Sequence, residues 1–380
     1  MHYPELLRFC RKQRKAMLNL LKELVEIESP SYSKRSVDRL GRVLATEFRH
    51  RGAEVNFLSS GEYGDCLRAR CYGRSSSKPI LVLGHLDTVW APGTLKKMPF
   101  HIRGGRAYGP GTLDMKGGIV CGLFALDALQ ALGLKPSSPI VFLLDSDEEL
   151  SSGHSFRFVH NEAKKSRLVL VLEPAADLKG SLKTARKGVG EFHLVVDGRA
   201  AHAGINPRDG INAVTELARQ MVKIESFARD RRGVTLNVGV VKGGTRSNVV
   251  PAHAEAWVDV RVEQAADGGW IEKKMRSLHP IHRGAKLLVS GGLSRPPMVR
   301  TPQIVSLFHE ARSVANELGF KIAEASTGGG SDGNITASMG LPTLDGLGAV
   351  GLGAHAPNEH VVISELPRRV ALLAGLLVRL

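Results

Sequence analysis

Ile140-Val-Phe-Leu-Leu144, followed by Asp145-Ser-Asp-Glu-Glu-Leu150, is the stretch that decides the fold. Five consecutive apolar residues predict a buried strand, and the polar residues after them then lie where the strand leaves its sheet. Successive side chains of an extended segment point in opposite directions, so Glu148 and Glu149 can face different groups. Taken alone, this carboxylate pair is also typical of a solvated loop.

The elements on either side of this strand alternate between helices and short apolar runs. Apolar residues at helical spacing predict helices over residues 5–28, 34–51, 118–133, 155–165, 303–318 and 365–378. Apolar runs predict strands over residues 55–58, 67–71, 80–84, 140–144 and 168–172. This alternation indicates an α/β domain built on a mostly parallel sheet.

A different pattern begins near Lys183. Apolar and polar residues alternate over 191–197, 234–241 and 255–262, as in half-exposed antiparallel strands, with helices predicted over 212–227 and 270–278. A turn-rich segment at 291–297 ends this part, and the α/β pattern then returns. We therefore predict an α/β domain formed by residues 1–183 and 296–380, with an α+β domain of residues 184–295 inserted into it.

The composition is typical of a soluble globular protein, with 43% hydrophobic and 23% charged residues. No apolar run is long enough to span a bilayer, and the amino terminus lacks the pattern of a secretion signal. The four cysteines have neither zinc-ribbon nor redox spacing. We therefore expect reduced thiols in a cytoplasmic protein that does not associate with membranes.

The net charge of +15 is high for 380 residues. The basic residues are spread along the chain, and no finger or aromatic-interleaved basic patch accompanies them. We therefore expect a solvated basic surface rather than a nucleic-acid site, with steering of anionic substrates as a secondary role.

Further side chains that can bind metals lie at strand ends or in glycine-rich loops. These are His85, Asp87, Asp114, Glu173 and His355. Asp87 shares a face with His85 on an extended segment, so its carboxylate can orient the ring. Each position alone has a structural alternative, such as a buried histidine or a helix-capping aspartate. Together, nitrogen and oxygen ligands with a bridging aspartate suit two zinc ions that clamp a water and a substrate carbonyl.

Six motifs follow one another along the chain. They are His85-Leu-Asp-Thr-Val, Gly109-Pro-Gly-Thr-Leu-Asp-Met-Lys-Gly-Gly118, Asp147-Glu-Glu, Leu172-Glu-Pro, Ala201-His-Ala-Gly204 and His355-Ala-Pro-Asn-Glu. Together they resemble the M20 metallopeptidase family over nearly the whole chain. Within that family the resemblance is to the glutamate carboxypeptidase (carboxypeptidase G2) type, with acetylornithine deacetylase and succinyl-diaminopimelate desuccinylase as close relatives.

The resemblance implies a centre of two zinc ions per subunit, for which cobalt or manganese would also suit the ligands. The implied ligands are His85 and Glu173 on one ion, Glu149 and His355 on the other, and Asp114 between them. Glu148 would be the general base, Asp87 would orient His85, and the Asp114–Met115 peptide would be cis. His360 departs from the family pattern, and it adds a third histidine close to His355 in the sequence.

For the inserted domain, the resemblance implies a lid that also forms a homodimer. His202 would reach a neighbouring active site and stabilise the oxyanion, while Asn248 and Arg261 would bind the free carboxylate of the substrate. Gly330 and Ser331 would line the same carboxylate pocket. Without the resemblance, Arg261 is typical of a surface ion pair and His202 of an exposed turn.

The activity implied is hydrolysis of the amide bond that joins a C-terminal amino acid, with glutamate favoured, to an N-acyl or peptidyl group. One alternative is an N-acyl-amino-acid deacylase of the acetylornithine deacetylase or desuccinylase type, which would use the same ligands. The alternative outside enzymes is a catalytically silent relative that binds amino acids. The preferred side chain, the acyl group and the metal stay open.

Overall fold

The computed structural model describes residues 3–72 and 77–380. The chain divides into two compact units. Unit 1 contains Met1–Ala185, Arg300–Thr327 and Ser331–Leu380, and unit 2 contains Arg186–Val299 and Gly328–Gly330. That unit 1 is a catalytic domain and unit 2 a lid stays a prediction. In the described part of the chain, no helix has the length and apolar character needed to cross a membrane.

The described residues form ten α-helices and sixteen strands. In chain order the helices are α1 (Tyr3–Lys12), α2 (Arg14–Val25), α3 (Lys34–His50), α4 (Gly117–Ala131), α5 (Phe156–Lys165), α6 (Ala213–Asp230), α7 (Ala265–Arg276), α8 (Pro302–Glu317), α9 (Asp332–Ser338) and α10 (Leu366–Arg379). The strands are β1 (Glu54–Leu58), β2 (Cys66–Cys71), β3 (Ile80–His85), β4 (His101–Arg103), β5 (Arg106–Tyr108), β6 (Ile140–Asp145), β7 (Leu168–Val171), β8 (Leu182–Arg186), β9 (Gly188–Asp197), β10 (Val234–Gly243), β11 (His253–Val262), β12 (Lys286–Arg295), β13 (Glu324–Thr327), β14 (Thr343–Leu344), β15 (Gly351–Leu352) and β16 (His360–Val362).

The central sheet of unit 1 has the strand order β1-β2-β6-β3-β7-β14. The pairings of β6 with β3, β3 with β7 and β7 with β14 are parallel, whereas β1 with β2 and β2 with β6 are antiparallel. The sheet is therefore mixed, with its parallel part where the apolar runs are longest. Every residue of β3 and β6 is buried, as expected for strands covered on both faces.

Helix α4 packs unusually close to the end of β7. A Cβ atom at Gly118, in its first turn, would lie 2.0 Å from the carbonyl oxygen of Leu172, so only glycine permits this approach. The helix is buried almost all round, and it packs against α10 in the main core of unit 1. The segment that precedes α4 is thereby held against the ends of the parallel strands.

One predicted helix of unit 1 is wrong in detail, and two strands were not expected. The helix predicted over residues 5–28 is broken at Gln13 into α1 and α2. Residues 11–15 are all basic or polar, so no apolar side chain holds one continuous helix against the core there. The short strands β4 and β5, which form a separate sheet with β15 and β16, were not expected beside the glycine-rich segment before α4.

Unit 2 contains an antiparallel sheet with the order β10-β11-β9-β12. Alternate residues of β11 are buried beneath α6 and α7, which confirms the half-exposed pattern seen in the sequence. The turn predicted at 291–297 is wrong, because Gly291 and Gly292 lie inside β12. A Cβ at Gly291 would lie 2.2 Å from the carbonyl oxygen of Glu191, so close strand packing explains the glycine.

Arg369, on α10, is a buried cation that joins three parts of unit 1. Its guanidinium donates to the carbonyl oxygens of Gly348 (2.8 Å), Gly180 (3.0 Å) and Gly346. Burial lowers the pKa of Arg369 to about 10, so the side chain stays charged at neutral pH. Helix α10 thus fixes the two glycine-rich turns that flank the ends of the central sheet.

We predict that Arg369→Met lowers the free energy of unfolding by at least about 3 kcal/mol, since each orphaned buried carbonyl costs roughly 1–3 kcal/mol. Urea denaturation followed by circular dichroism measures this. The matched control is Arg368→Met, because Arg368 is 42% exposed and pairs with Glu365 at 2.8 Å. Its loss should not exceed about 1 kcal/mol. Equal losses of unfolding free energy in the two variants would show that the three carbonyl contacts of Arg369 add no more stability than the surface ion pair of Arg368.

Candidate active site

The carboxyl ends of three neighbouring parallel strands bring the candidate ligands together. His85 ends β3, Glu148 and Glu149 follow β6 in a short 3₁₀ turn, and Glu173 follows β7. Because β6, β3 and β7 are adjacent and parallel, these side chains meet at one edge of the sheet. Asp114 comes from the segment before α4, and the Asp114–Met115 peptide is cis, as expected.

The carboxylate of Asp114 stands between two imidazole rings. Its Oδ1 lies 3.2 Å from Nε2 of His85, and its Oδ2 lies 3.4 Å from Nε2 of His355. His85 also faces Oε1 of Glu173 at 3.5 Å, and His355 faces Oε2 of Glu149 at 3.1 Å. Each imidazole therefore has Asp114 on one side and a glutamate of its own on the other.

These distances fit a metal centre. Two ligands that lie 2.0–2.1 Å from one tetrahedral ion are about 3.3 Å apart, close to the four separations around Asp114. Nδ1 of His85 lies 2.9 Å from the main-chain oxygen of Asp87. A ring that donates there through Nδ1 leaves Nε2 facing the carboxylates, where the lone pair of a deprotonated Nε2 could bind a metal ion. Atoms of His85, Glu148 and Glu173 also lie within 4.8 Å of one another.

The electrostatics of the cluster agree with this fit. Burial opposes charge on His85, yet its contacts with Asp114, Asp87 and Glu173 raise the pKa of the ring well above its usual value. Contacts with Asp114 and Glu149 raise the pKa of His355 to about 10. Burial raises the pKa of Glu149 to about 7. Protons or metal ions must therefore offset the gathered carboxylates, and the donor atoms suit metal ions.

Asp87 contacts both His85 and the turn that carries Glu148 and Glu149. Its Oδ1 lies 3.5 Å from Nδ1 of His85, whereas its main-chain oxygen lies 2.9 Å from the same nitrogen. The carboxylate instead accepts the main-chain N–H groups of Glu148 and Glu149, both at 3.2 Å, and the hydroxyl of Ser31 at 2.7 Å. Asp87 thus connects the end of β3 to the turn after β6. The role of Ser31 was not expected.

Glu359 holds the loop that carries Asp114, and it was also missed. Its buried carboxylate accepts the main-chain N–H groups of Gly111 (2.9 Å), Leu113 (2.9 Å) and Asp114 (3.0 Å). It also accepts Nε1–H of Trp90 at 2.8 Å. The only signal in the sequence was its place four residues after His355 in His-Ala-Pro-Asn-Glu.

His360 lies apart from the ligand set, as far as the described residues are concerned. Its Nδ1 lies 2.8 Å from the main-chain oxygen of Asn358, and its ring packs against Tyr108 with the centroids 5.0 Å apart. Its buried Nε2 has no hydrogen-bond partner among the described residues. This geometry favours His355 over His360 as a ligand.

His202 and Asn248 are brought together within unit 2. An isolated bridge pairs His202 with Val249, and the main-chain oxygen of Asn248 accepts N–H of Ala203 at 3.0 Å. Nδ1 of the exposed His202 accepts the N–H groups of Gly204 (3.1 Å) and Ile205 (3.2 Å). Because Nδ1 accepts these hydrogen bonds, the proton of a neutral ring lies on Nε2. Nε2 is therefore available as a hydrogen-bond donor.

Arg261 lies on the exposed face of β11, paired with Asp259. Its Nε and Nη2 donate to the two oxygens of Asp259 at 2.9 and 2.7 Å, and its Nη1 donates to the oxygen of Gly328 at 3.3 Å. A guanidinium has five N–H donors, so one remains on Nη1 and one on Nη2. The remaining pair suits an end-on carboxylate, although the contact with Asp259 is also the surface ion pair considered above.

Gly330 and Ser331 make structural contacts. The carbonyl oxygen of Gly330 accepts from Nη1 of Arg186 at 2.8 Å. Ser331 is buried and caps α9: its hydroxyl accepts N–H of Gly333 at 3.0 Å and donates to Asp345 at 2.6 Å. Binding of substrate by Gly330 and Ser331 stays a prediction.

Comparisons with known proteins agree with this geometry. Residues 81–379 match the model of peptidase family M20/M25/M40. The chain is 31% identical over 378 residues to carboxypeptidase G2 of Pseudomonas sp. (strain RS-16), covering 97% of this chain and 90% of that protein. It is 27% identical to succinyl-diaminopimelate desuccinylase of Dechloromonas aromatica (strain RCB), covering 81% and 85%.

A solved structure shares the fold. The aminopeptidase PepT of Bacillus cereus ATCC 10987 superposes with a TM-score of 0.77, covering 96% of this chain and 98% of that chain. The sequence identity is 22%, so this likeness concerns the fold alone.

We predict that His355→Ala, after zinc loading and gel filtration, retains about half the metal of the wild-type chain, because one ion of a two-metal centre loses a ligand. Elemental analysis by mass spectrometry measures the content. The control is His360→Phe, which keeps an aromatic ring against Tyr108 and should keep its metal. Equal metal loss in both variants would contradict the assignment of His355.

Proposed function

The chain belongs to peptidase family M20/M25/M40, and on that premise we propose that it is a di-zinc metallo-carboxypeptidase. The substrate proposed is an N-acyl or peptidyl amino acid whose C-terminal residue, with glutamate favoured, is released by hydrolysis of its amide bond. The observation that carries the proposal is the set of imidazoles and carboxylates 3.1–3.5 Å apart around Asp114, with Glu148 beside them.

Two relatives bear on the substrate. The match to carboxypeptidase G2, at 31% identity over 97% of this chain, favours release of a C-terminal amino acid. The match to a succinyl-diaminopimelate desuccinylase, at 27% over 81%, favours an N-acyl-amino-acid deacylase as the second candidate. The carboxypeptidase assignment is preferred because its relative is more similar over more of the chain.

The metal ligands proposed are divided by Asp114 into two sets. His85 and Glu173 would hold one zinc ion, Glu149 and His355 the other, and Asp114 would contact both; cobalt or manganese would suit the same donors. When bound, such ions act as Lewis acids and make water a better nucleophile at neutral pH. Asp87 would hold His85 and Glu149 in fixed relative positions. Its main-chain oxygen contacts the ring of His85, and its carboxylate accepts the main-chain N–H of Glu149.

Glu148 is proposed as the general base. Its main-chain N–H is held by Asp87 at 3.2 Å, and its side chain is buried beside His85 and Glu173. A carboxylate held there can take a proton from the attacking water and deliver it to the leaving amine. Glu149, its neighbour on the same turn, is the proposed ligand. The carboxylate of Glu148 therefore stays available for proton transfer.

His202 and Arg261 are proposed to act on the substrate. The proton on Nε2 of His202 would donate to the oxygen that gains charge during attack. The two free N–H groups of Arg261 would bind the substrate carboxylate, with Asp259 orienting the guanidinium. Asn248, Gly330 and Ser331 would line the same carboxylate site.

A homodimer through unit 2 is proposed because His202 would act in a neighbouring active site. Strand β10 is an edge strand, and its Val240 and Val241 side chains are exposed, as an interface would require. A cytoplasmic location is proposed because all four cysteines are free and buried thiols, which suits a reducing compartment.

We predict that Glu148→Gln lowers kcat by about 10²–10⁴-fold while zinc content is unchanged, since the amide keeps the shape of the side chain but cannot accept the proton. Release of glutamate from N-acyl-glutamates measures kcat, and elemental analysis measures zinc.

The control for this variant is Glu62→Gln, at an exposed position of unit 1. It should keep both turnover and zinc. Near wild-type turnover in Glu148→Gln would contradict the role of general base, whereas parallel loss of zinc would make Glu148 a ligand instead.

A further inference from the structure

A cavity of about 410 Å³ lies within unit 1, where the break between α1 and α2 meets the start of α10. Its volume is that of a small-molecule site. Helix α1 packs against α10 in the main core, so the walls belong to packed helices rather than to a free loop. The residues that line the cavity are Arg11, Arg14, Ser364, Glu365, Pro367 and Arg368. None of them belongs to the candidate metal centre, and the proposed function leaves this cavity unused.

The cavity is positively charged. Three arginines and one glutamate line it, which leaves two positive charges in excess. Arg11 and Arg14 are exposed, and neither makes an ion pair with any residue that the structure describes. Because the helix is broken at Gln13, one of these arginines ends α1 and the other begins α2. No carboxylate of the described chain therefore neutralises this pair.

Arg14 stands where a cation is unfavourable. It is the first residue of α2, and the dipole of a helix disfavours positive charge at that end. The first turn of α2 contains no acidic residue, and the side chain of Gln13 does not cap the helix. A bound anion would offset both the guanidinium and the helix dipole. The sequence itself supplies nothing in the first turn that does so.

Arg368 and Glu365 already satisfy one another. Nη1 of Arg368 donates to Oε1 of Glu365 at 2.8 Å, and its guanidinium lies 5.8 Å from the ring centroid of Phe320. The side chain is still 42% exposed, so part of the guanidinium faces the cavity. The single carboxylate of the cavity is thus paired with its own cation. The hydroxyl of Ser364, which is exposed, makes no hydrogen bond within the described residues.

These donors suit a phosphate group. The planar fork of a guanidinium pairs bidentately with phosphate oxygens, and a phosphate monoester carries about 1.5 to 2 negative charges at neutral pH. That charge matches the excess on the cavity walls, whereas a single carboxylate would neutralise only half of it. None of the residues that line the cavity is aromatic, so a nucleobase would find no ring to stack on. A hydroxylated compound would instead find guanidinium and hydroxyl donors.

From these observations we infer that the cavity is a binding site for the phosphate monoester of a small, hydroxylated compound. The guanidinium groups of Arg11 and Arg14 hold the phosphate, and Ser364 and Arg368 contact the rest of the ligand. Such a ligand connects the break between α1 and α2 to the start of α10, so it stabilises the folded chain. The inference does not depend on the proposed peptidase activity.

The first test titrates glycerol 3-phosphate into the zinc-loaded full chain by isothermal titration calorimetry at constant ionic strength. We expect a Kd below about 1 mM. The double variant Arg11→Gln/Arg14→Gln should bind at least about tenfold more weakly, because it loses charge-assisted hydrogen bonds from both guanidiniums. Both side chains are exposed, so these substitutions require no repacking.

The matched control is Arg39→Gln/Arg42→Gln. These two arginines are also exposed, lie three residues apart on α3, and line no part of the cavity. The control removes the same charge and should keep the wild-type affinity within about twofold. Phosphate that binds at the candidate metal centre would do so equally in all three proteins. Equal weakening in the two double variants would overturn the inference, because binding would then follow the net charge of the chain.

The second test asks whether the arginines act through their shape as well as their charge. Arg11→Lys/Arg14→Lys keeps both charges but loses the planar forks, so it should weaken binding by about three- to tenfold. In the wild type, malonate and adenosine monophosphate should bind no more tightly than glycerol 3-phosphate. Wild-type affinity in the lysine variant, or tighter binding of malonate or adenosine monophosphate, would overturn the inference.

The third test measures the melting temperature with and without 10 mM glycerol 3-phosphate. The wild type should melt at a higher temperature with the ligand, whereas Arg11→Gln/Arg14→Gln should not. An equal rise in both proteins would place the ligand elsewhere and overturn the inference. Without phosphate, turnover of N-acyl-glutamates by this variant should equal that of the wild type, so the proposed function is tested separately.

Discussion

The carboxylate of Asp114, with an imidazole against each of its oxygens, is the constraint on which the rest of the site depends. Oδ1 faces the ring of His85 and Oδ2 faces the ring of His355, so each ring must present its Nε2 to a different oxygen. His85 achieves this from the end of a buried strand, and His355 from a turn in which its φ is 61°, an uncommon value for a residue other than glycine. The backbone on both sides is therefore arranged around one side chain.

A second layer of buried carboxylates keeps that arrangement in place. Asp87 accepts main-chain N–H groups of the turn after β6, and Glu359 accepts those of the loop before α4. Each carboxylate is satisfied by several donors from segments that are distant in the sequence, which offsets the cost of burying its charge. The side chains of the candidate metal centre are thus positioned through main-chain hydrogen bonds rather than through packing alone.

The longer strands of the central sheet, the candidate ligands and the family could be predicted from the sequence, because each depends on local pattern. Ile140–Leu144 is a continuous apolar run that predicts a buried strand, and Asp114 lies in one of six motifs whose joint occurrence is specific. The roles of Ser31 and Glu359 could not be predicted, because their partners are main-chain groups that only the folded chain brings near. Gly291 was misjudged for a related reason: the neighbour that requires glycine there, the carbonyl of Glu191, lies on another strand.

His355 comes from the third segment of unit 1, while the other four candidate ligands come from the first. During synthesis the amino-terminal ligands leave the ribosome long before the last one, with all of unit 2 translated between them. A metal ion captured by the nascent chain would be held by an incomplete set of ligands. The candidate centre is therefore completed only when the third segment, with β15, β16 and α10, has joined the sheet and helices already formed.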